Sequence, residues 1–306
     1  MKPEWVKQGL LYALPENGLH AKLCSHTANP TPVHLREDTY RIFYSARDAS
    51  NRSSVGAVDI DLVTKQIVHE HKQPFLECGP PGSFFQDGIS LGNHYEASGR
   101  RYLTFMGWQN PPDGHWRGDI GRLLVKDDLS LEVDSLRPFM TSDEADPISL
   151  SYPWVMMTSS GHYDMWYGST VTWDAGNGEM LHVIKHASSS NGETFQKTSF
   201  TVPNEIGRAQ AFSRPTILKS GVDTWNMWFS YRAGNGIPYR IGHAISSDGR
   251  NWALALDCAN LNVSSEGWDS HMVEYPYVFI HKGEIVMLYN GNEYGQSGFG
   301  MAILAS

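Results

Sequence analysis

The chain has 306 residues, enough to bury a large core in one domain or two, and 41% apolar with 19% charged residues describes a globular protein, not a disordered one. The net charge of -9, with no run of Lys or Arg, argues against nucleic acid or an acidic membrane surface as a partner. Cys24, Cys78 and Cys258 are odd in number and far apart, which excludes a disulfide framework, and no apolar stretch approaches the ~20 residues of a spanning helix.

The N-terminal "MKPEWVKQGLLYALPENG" lacks the apolar core and small-residue cleavage site of a signal peptide, so the cytoplasm is the expected location. Five similar units follow. The first reads "NPTPVHL" (29–35), "YRIFYSARD" (40–48) and "SVGAVDIDL"; the second "FQDGISLG" (85–92), "RYLTFMGWQN" (101–110) and "DIGRLLV". The third reads "SYPWVMM" (151–157), "YDMWYGST" (163–170) and "LHVIKHAS"; the fourth "SRPTILK" (213–219), "WNMWFSYR" (225–232) and "YRIGHAIS". The fifth ends the chain with "EYPYVFI" (274–280), "IVMLYNGN" (285–292) and "GFGMAIL". Each segment is rich in β-branched and aromatic residues without helical periodicity, as strands require. "SSSNGETF" (188–195) and "SSDGRNW" (246–252) predict tight turns closed by Asx bonds, with Gly at positive φ.

Repetition at this period is the signature of a β-propeller, here a single all-β domain, 1–306, with five blades. The last unit has no room for a fourth strand, so "WVKQGLLYAL" is expected to supply it and close the ring. Aligning Pro32, Gly88, Pro153, Pro215 and Pro276 gives spacings of 56, 65, 62 and 61 residues. The residues just before these positions vary in chemical type: Thr31, Asp87, Tyr152, Arg214 and Tyr275, preceded by Pro30, Gln86, Ser151, Ser213 and Glu274. Purely structural slots would attract similar small residues, so the variation marks a pocket at one end of a central channel.

Carboxylates from different blades facing one another across a channel suit glycosidic bond cleavage, which needs an acid for the leaving oxygen and a second group to activate water or attack carbon. Glu274 and Asp87 are the leading catalytic pair, and Asp48 is a third candidate. Arg47, Arg214 and Arg232 occupy equivalent or neighbouring slots in an acidic chain, and converging guanidinium groups bind a carboxylate or phosphate. Tyr275, Tyr152, Gln86, Trp108, Asn290 and His271 complete the predicted substrate-binding set. Trp116, Trp173, Tyr231 and Tyr294 follow second strands, where aromatic rings pack between blades or stack on sugars. No HExxH or clustered His/Cys spacing occurs, so neither a metal nor another cofactor is expected.

The segments "NPTPVHL…YRIFYSARD", "PGSFFQDGISLG", "AFSRPTIL…NMWFSYR" and "EYPYVFI…MLYNGNEYGQSGFGMA" resemble the five-bladed propeller glycosidases, glycoside hydrolase families 43, 32, 68 and 130. In families 43 and 32 this resemblance implies a first-blade Asp as base or nucleophile, an assisting second-blade Asp and a third-blade Glu as acid. Asp87 matches the second. The first-blade entry "HTANPTPV" has no Asp and the third, "SLSYPWVM", no Glu, while an acid stands in the fifth. The expectation is a glycoside hydrolase-like enzyme acting on an intracellular, anionic carbohydrate or sugar conjugate. A phosphorylase or glycosyl transferase and a non-catalytic carbohydrate-binding propeller are the alternatives.

Overall fold

The protein is built almost wholly of antiparallel strands in the computed structural model, which describes residues 4–158 and 160–305. After β1 (Trp5–Tyr12) comes a first unit of β2 (Ser25–Arg36), β3 (Thr39–Arg47), β4 (Ser53–Asp61) and β5 (Gln66–Glu70). The second holds β6 (Gly88–Ala97), β7 (Arg100–Gln109), β8 (Arg117–Val125) and β9 (Leu131–Val133). The third holds β10 (Leu150–Met157), β11 (Tyr163–Thr172), β12 (Leu181–Ser189) and β13 (Gln196–Thr201). The fourth holds β14 (Ser213–Gly221), β15 (Thr224–Tyr231), β16 (Arg240–Ser246) and β17 (Trp252–Leu254). The fifth has β18 (Glu274–His281), β19 (Glu284–Asn290) and β20 (Phe299–Leu304), and β1 pairs antiparallel with β20 as its outer strand. A single parallel bridge, Ser53 to Gly88, joins the first two units into one sheet.

The first strands touch in sequence: β2 meets β6, β6 meets β10, β10 meets β14, β14 meets β18, and β18 returns to β2. Apolar faces between units form the core. Trp166 packs against Trp225 and Trp252 at ring-centroid distances of 6.1 and 6.3 Å, and Trp5 meets Trp228 edge to face at 5.7 Å. The Ser-x-Asp-Gly turn fits into this core. Asp248 Oδ1 accepts the Arg250 and Asn251 N–H groups, Gly249 takes φ 75°, and its carbonyl accepts both the Trp166 and Trp252 indoles.

Each first strand carries a register shift near its start, and these shifts set the true repeat. The unmatched pairs begin at 29, 92, 152, 214 and 275, at intervals of 63, 60, 62 and 61 residues. Asn29, Tyr152, Arg214 and Tyr275 have φ of 56, 33, 46 and 51°, and each precedes a proline. The left-handed turn lets the strand absorb an extra residue, and Asn29, Tyr152 and Tyr275 thereby line one cavity. The alignment on Pro32 and Gly88 is therefore corrected. The first unit turns at Asn29-Pro30 and the second at Gly92-Asn93, so Thr31 and Asp87 are not equivalents of Tyr152, Arg214 and Tyr275. Cys24, Cys78 and Cys258 are half-buried free thiols.

Candidate functional site

The first strands all bring their opening residues to one end of the molecule, where a cavity of about 820 Å³ lies between the units. That size suits a small-molecule or sugar ligand. Ala28, Ser151 and Ser213, the small residues just before the bulges of the first, third and fourth units, line it. Glu274 takes the corresponding place in the fifth unit, directly before the Tyr275-Pro276 bulge.

Glu274 has no exposed surface, and among the described residues neither carboxyl oxygen has a partner at hydrogen-bond geometry. Burial pushes its pKa well up, against the opposing pull of the Arg232 and Arg47 guanidinium groups and the flanking Tyr294 N–H. The site thus favours the protonated acid. Tyr275, Tyr294 and Arg232, which surround it, line the cavity.

Asp87, unlike Glu274, lines the cavity, on the loop that enters β6. Its Oδ2 accepts the Asn110 N–H at 2.8 Å and the Gln86 amide at 3.2 Å, while Gln86 Oε1 accepts the Gly82 N–H. Gln86 therefore orients Asp87. Asp48 keeps its carboxylate inside its own hairpin. Oδ1 accepts the Ser50 and Arg52 N–H groups and Oδ2 takes the Arg52 guanidinium at 2.9 and 3.1 Å, bonds that lower its pKa in spite of burial.

The three arginines differ. Arg47 lines the cavity; its Nη1 donates to Asn51 Oδ1 at 3.1 Å, and among the described residues it has no ion pair. Arg232 lines it too, pairing with Glu179 at 2.9 Å over the Tyr239 ring and keeping Nε buried without a partner. Arg214 is instead enclosed below the floor, where five acceptors from other units take up its donors. Burial lowers its pKa to about 10.

Tyr152 and Tyr275 meet through their hydroxyls at 3.3 Å and, with Trp108, line the cavity. Asn290 is buried and fully used, accepting the Asn29 N–H and donating to the Thr27 and Gly298 carbonyls. His271 is exposed and lies 3.5 Å from Glu293. The structure thus brings Asp87, Arg47, Arg232, Tyr152, Tyr275 and Trp108 into one cavity lining, with Glu274 fully buried behind Tyr275, and leaves Glu274 itself, Gln86, Asp48, Arg214, Asn290 and His271 outside that lining.

Sequence reasoning missed three residues here. His182 opens β12 and lines the cavity, with Nε2 2.6 Å from Ser151 Oγ and Nδ1 2.8 Å from Thr170 Oγ1. Burial, with help from Arg232, lowers its pKa to about 3, so the ring is neutral and fixes both hydroxyls. Only glycine fits at 168, because a Cβ there would strike the Ser151 hydroxyl and the His182 ring. Arg52 and Asn29 also line the cavity, and the Asn-Pro pair at 29–30 was the available signal for the latter. Among the described residues no cluster of His, Cys, Asp or Glu could hold a metal ion, and no helix is long and apolar enough to cross a membrane.

No family model matches the chain. Uncharacterized proteins MT1551 and Rv1502 of Mycobacterium tuberculosis strains CDC 1551 / Oshkosh and ATCC 25618 / H37Rv are each 38% identical over 302 residues, 98% of this chain and 99% of theirs. Among solved structures, a glycoside hydrolase superposes with a TM-score of 0.73 at 16% identity, covering 99% of this chain and 91% of that one. A thermostable family-43 glycoside hydrolase gives 0.67 at 15% over 92% and 88%. An endo-arabinase from Bacteroides thetaiotaomicron VPI-5482 gives 0.66 at 12% over 92% and 94%. At such identities the likeness speaks for the fold, a glycoside hydrolase-like β-propeller.

Proposed function

The chain belongs to one family with the two Mycobacterium tuberculosis proteins, and for its cavity we propose a glycoside-processing activity: hydrolysis, in the cytoplasm, of a glycosyl substrate that carries negative charge. We read the fold as five blades in one domain, closed by β1; the cyclic contact of the first strands and the β1–β20 pairing support this. The observation that carries the activity is Glu274, a fully buried acid with neither oxygen at hydrogen-bond geometry among the described residues, adjacent in the chain to Tyr275, which lines a cavity holding Asp87 and three arginines.

In this reading Glu274 gives its proton to the glycosidic oxygen as the bond to the anomeric carbon breaks. The Asp87 carboxylate, held by Asn110 and Gln86, either takes the proton of the attacking water or supports positive charge on the sugar. Asp48 stays out of the chemistry because both its oxygens are engaged. Arg47 and Arg232 hold the anionic group, Tyr152, Tyr275 and Trp108 pack against the sugar, and Arg214 and Asn290 hold the blades.

A specific observation favours a second reading, a silent carbohydrate-binding module: Asp87 is the only carboxylate residue lining the cavity among the described residues. The arginines suit a third, phosphorolysis or glycosyl transfer. Turnover of neutral and acidic 4-nitrophenyl glycosides, with and without phosphate, separates the three. Glu274→Gln should abolish turnover and retain ligand binding; unchanged turnover would remove Glu274 from the mechanism.

A further inference from the structure

We propose that the end of the cavity where the first, fourth and fifth units meet is an oxyanion site, in which Asn29, Arg47 and Arg232 donate to a carboxylate or phosphate group held beside Glu274. The inference deepens the reading of this cavity as a substrate site, and it singles out Asn29.

Asn29 lines the cavity, is 1% exposed, and its Nδ2 has no partner among the described residues. Its backbone N–H donates to Asn290 Oδ1 at 2.9 Å, and Asn290 is the cross-strand neighbour of Glu274, so one residue holds amide and acid together. Arg232 brings a second buried donor without a partner, Nε. Among the described residues Arg47 forms no ion pair within salt-bridge distance, whereas Arg52 is matched by Asp48 and Arg232 by Glu179. Both Arg47 and Arg232 act electrostatically on Glu274, which puts them around the same point.

Buried donors without partners cost about 1–3 kcal/mol each, a cost removed when a ligand oxygen arrives. Three donor groups around an acid that burial keeps protonated ask for an acceptor-rich, negatively charged group rather than a neutral hydroxyl. Asp87, the lining carboxylate, belongs to the second unit and is already held by Asn110 and Gln86.

The test is calorimetric titration of the full chain with inorganic phosphate, with D-glucuronate and, as the neutral control, with D-glucose. Asn29→Gly and Asn29→Asp are the variants, because both residues tolerate a φ of 56° and circular dichroism will verify the fold. At least one anion should bind where glucose does not. Asn29→Gly should weaken it roughly tenfold and Asn29→Asp, which adds a carboxylate, roughly a hundredfold. Binding of glucuronate alone assigns the site to a sugar acid, and binding of phosphate alone to a phosphate group. Failure of both anions to bind, equal binding of glucose, or full affinity in a folded Asn29→Asp protein overturns the site. Turnover of neutral glycosides without anion binding would sink this inference and leave the enzyme standing. Asn29-dependent anion binding without turnover of any glycoside would do the reverse.

Discussion

Arg214 Nη1 donates to the Tyr275 carbonyl at 2.6 Å, and the same guanidinium reaches Pro30 and Thr31 in the first unit and Leu91 in the second. A cation from the fourth unit thus ties three others together beneath the cavity. Arg214→Met should cost about 3–5 kcal/mol of stability, because the carbonyls it serves lose their donor. Urea denaturation will read the loss, and anion affinity of the folded fraction should not change. A wild-type midpoint would mean that the guanidinium is dispensable to the assembly.

Glu274 predicts a trade between activity and stability. Its folded pKa is raised above the unfolded value, so its contribution to stability is full below about pH 4.5 and declines as the pH rises from there toward the folded value. Glu274→Gln should therefore kill turnover and stabilise the protein by about 1–3 kcal/mol at pH 7, with a smaller gain at pH 5. Equal gains at both values would show that the carboxyl ionises in the fold.

Asp87 should behave differently, since it is half-exposed and already hydrogen-bonded. Asp87→Asn should reduce kcat by roughly a hundredfold or more on whichever aryl glycoside proves active, with a melting temperature within a few degrees of wild type. Loss of folding without any effect on specific activity would make it a loop-fixing residue.

Histidines predict acid sensitivity of the opposite sign to that of Glu274. Burial lowers the pKa of His182 to about 3 and of His26 and His243 to about 4. Unfolded imidazoles take up protons near pH 6.5, so stability is full above that value and falls as the pH drops toward the folded pKa values. A fully buried ring loses about 2 kcal/mol between pH 6.5 and 5, and the less buried His26 loses less. Unfolding free energies of the Glu274→Gln protein, in which the opposing carboxyl is removed, should decline steadily through pH 7.5, 6 and 5; a flat profile would exclude neutral buried imidazoles.

Trp5 tests the attachment of the N-terminal strand. It is 5% exposed and meets Trp228 of the fourth unit edge to face. Trp5→Ala should cost about 3–5 kcal/mol and promote aggregation through the freed β20 edge. Wild-type thermal stability and solution behaviour in that variant would show the contact to be ornamental.

Much of the strand order was legible because β-branched and aromatic residues recur with the same neighbours in every unit. "WVKQGLLYAL" was readable as a partner strand because the last unit is one strand short, and it pairs with β20. Register was harder. Two prolines, Pro30 and Pro32, stand in the first strand of the first unit and none in the first strand of the second, so proline spacing could not tell which residue occupies the left-handed bulge. Backbone φ decides, and it moves attention from Thr31 to Asn29. The site was half legible for a related reason. Charge and position picked out Glu274 and Asp87, but whether an arginine faces a ligand or a ring of carbonyls depends on contacts between residues up to 184 apart, as between Arg214 and Pro30.

The pairing of β1 with β20 has a mechanical consequence. Trp5 lies opposite Leu304 and Tyr12 opposite Phe299, so tension carried by the chain on the two sides of this seam would meet its hydrogen bonds one after another, like a zip. Bonds loaded in single file yield at low force, whereas sheared strands share the load. A protein rigid enough to preorganise its cavity would therefore come undone gently when drawn out by its ends, beginning at Trp5.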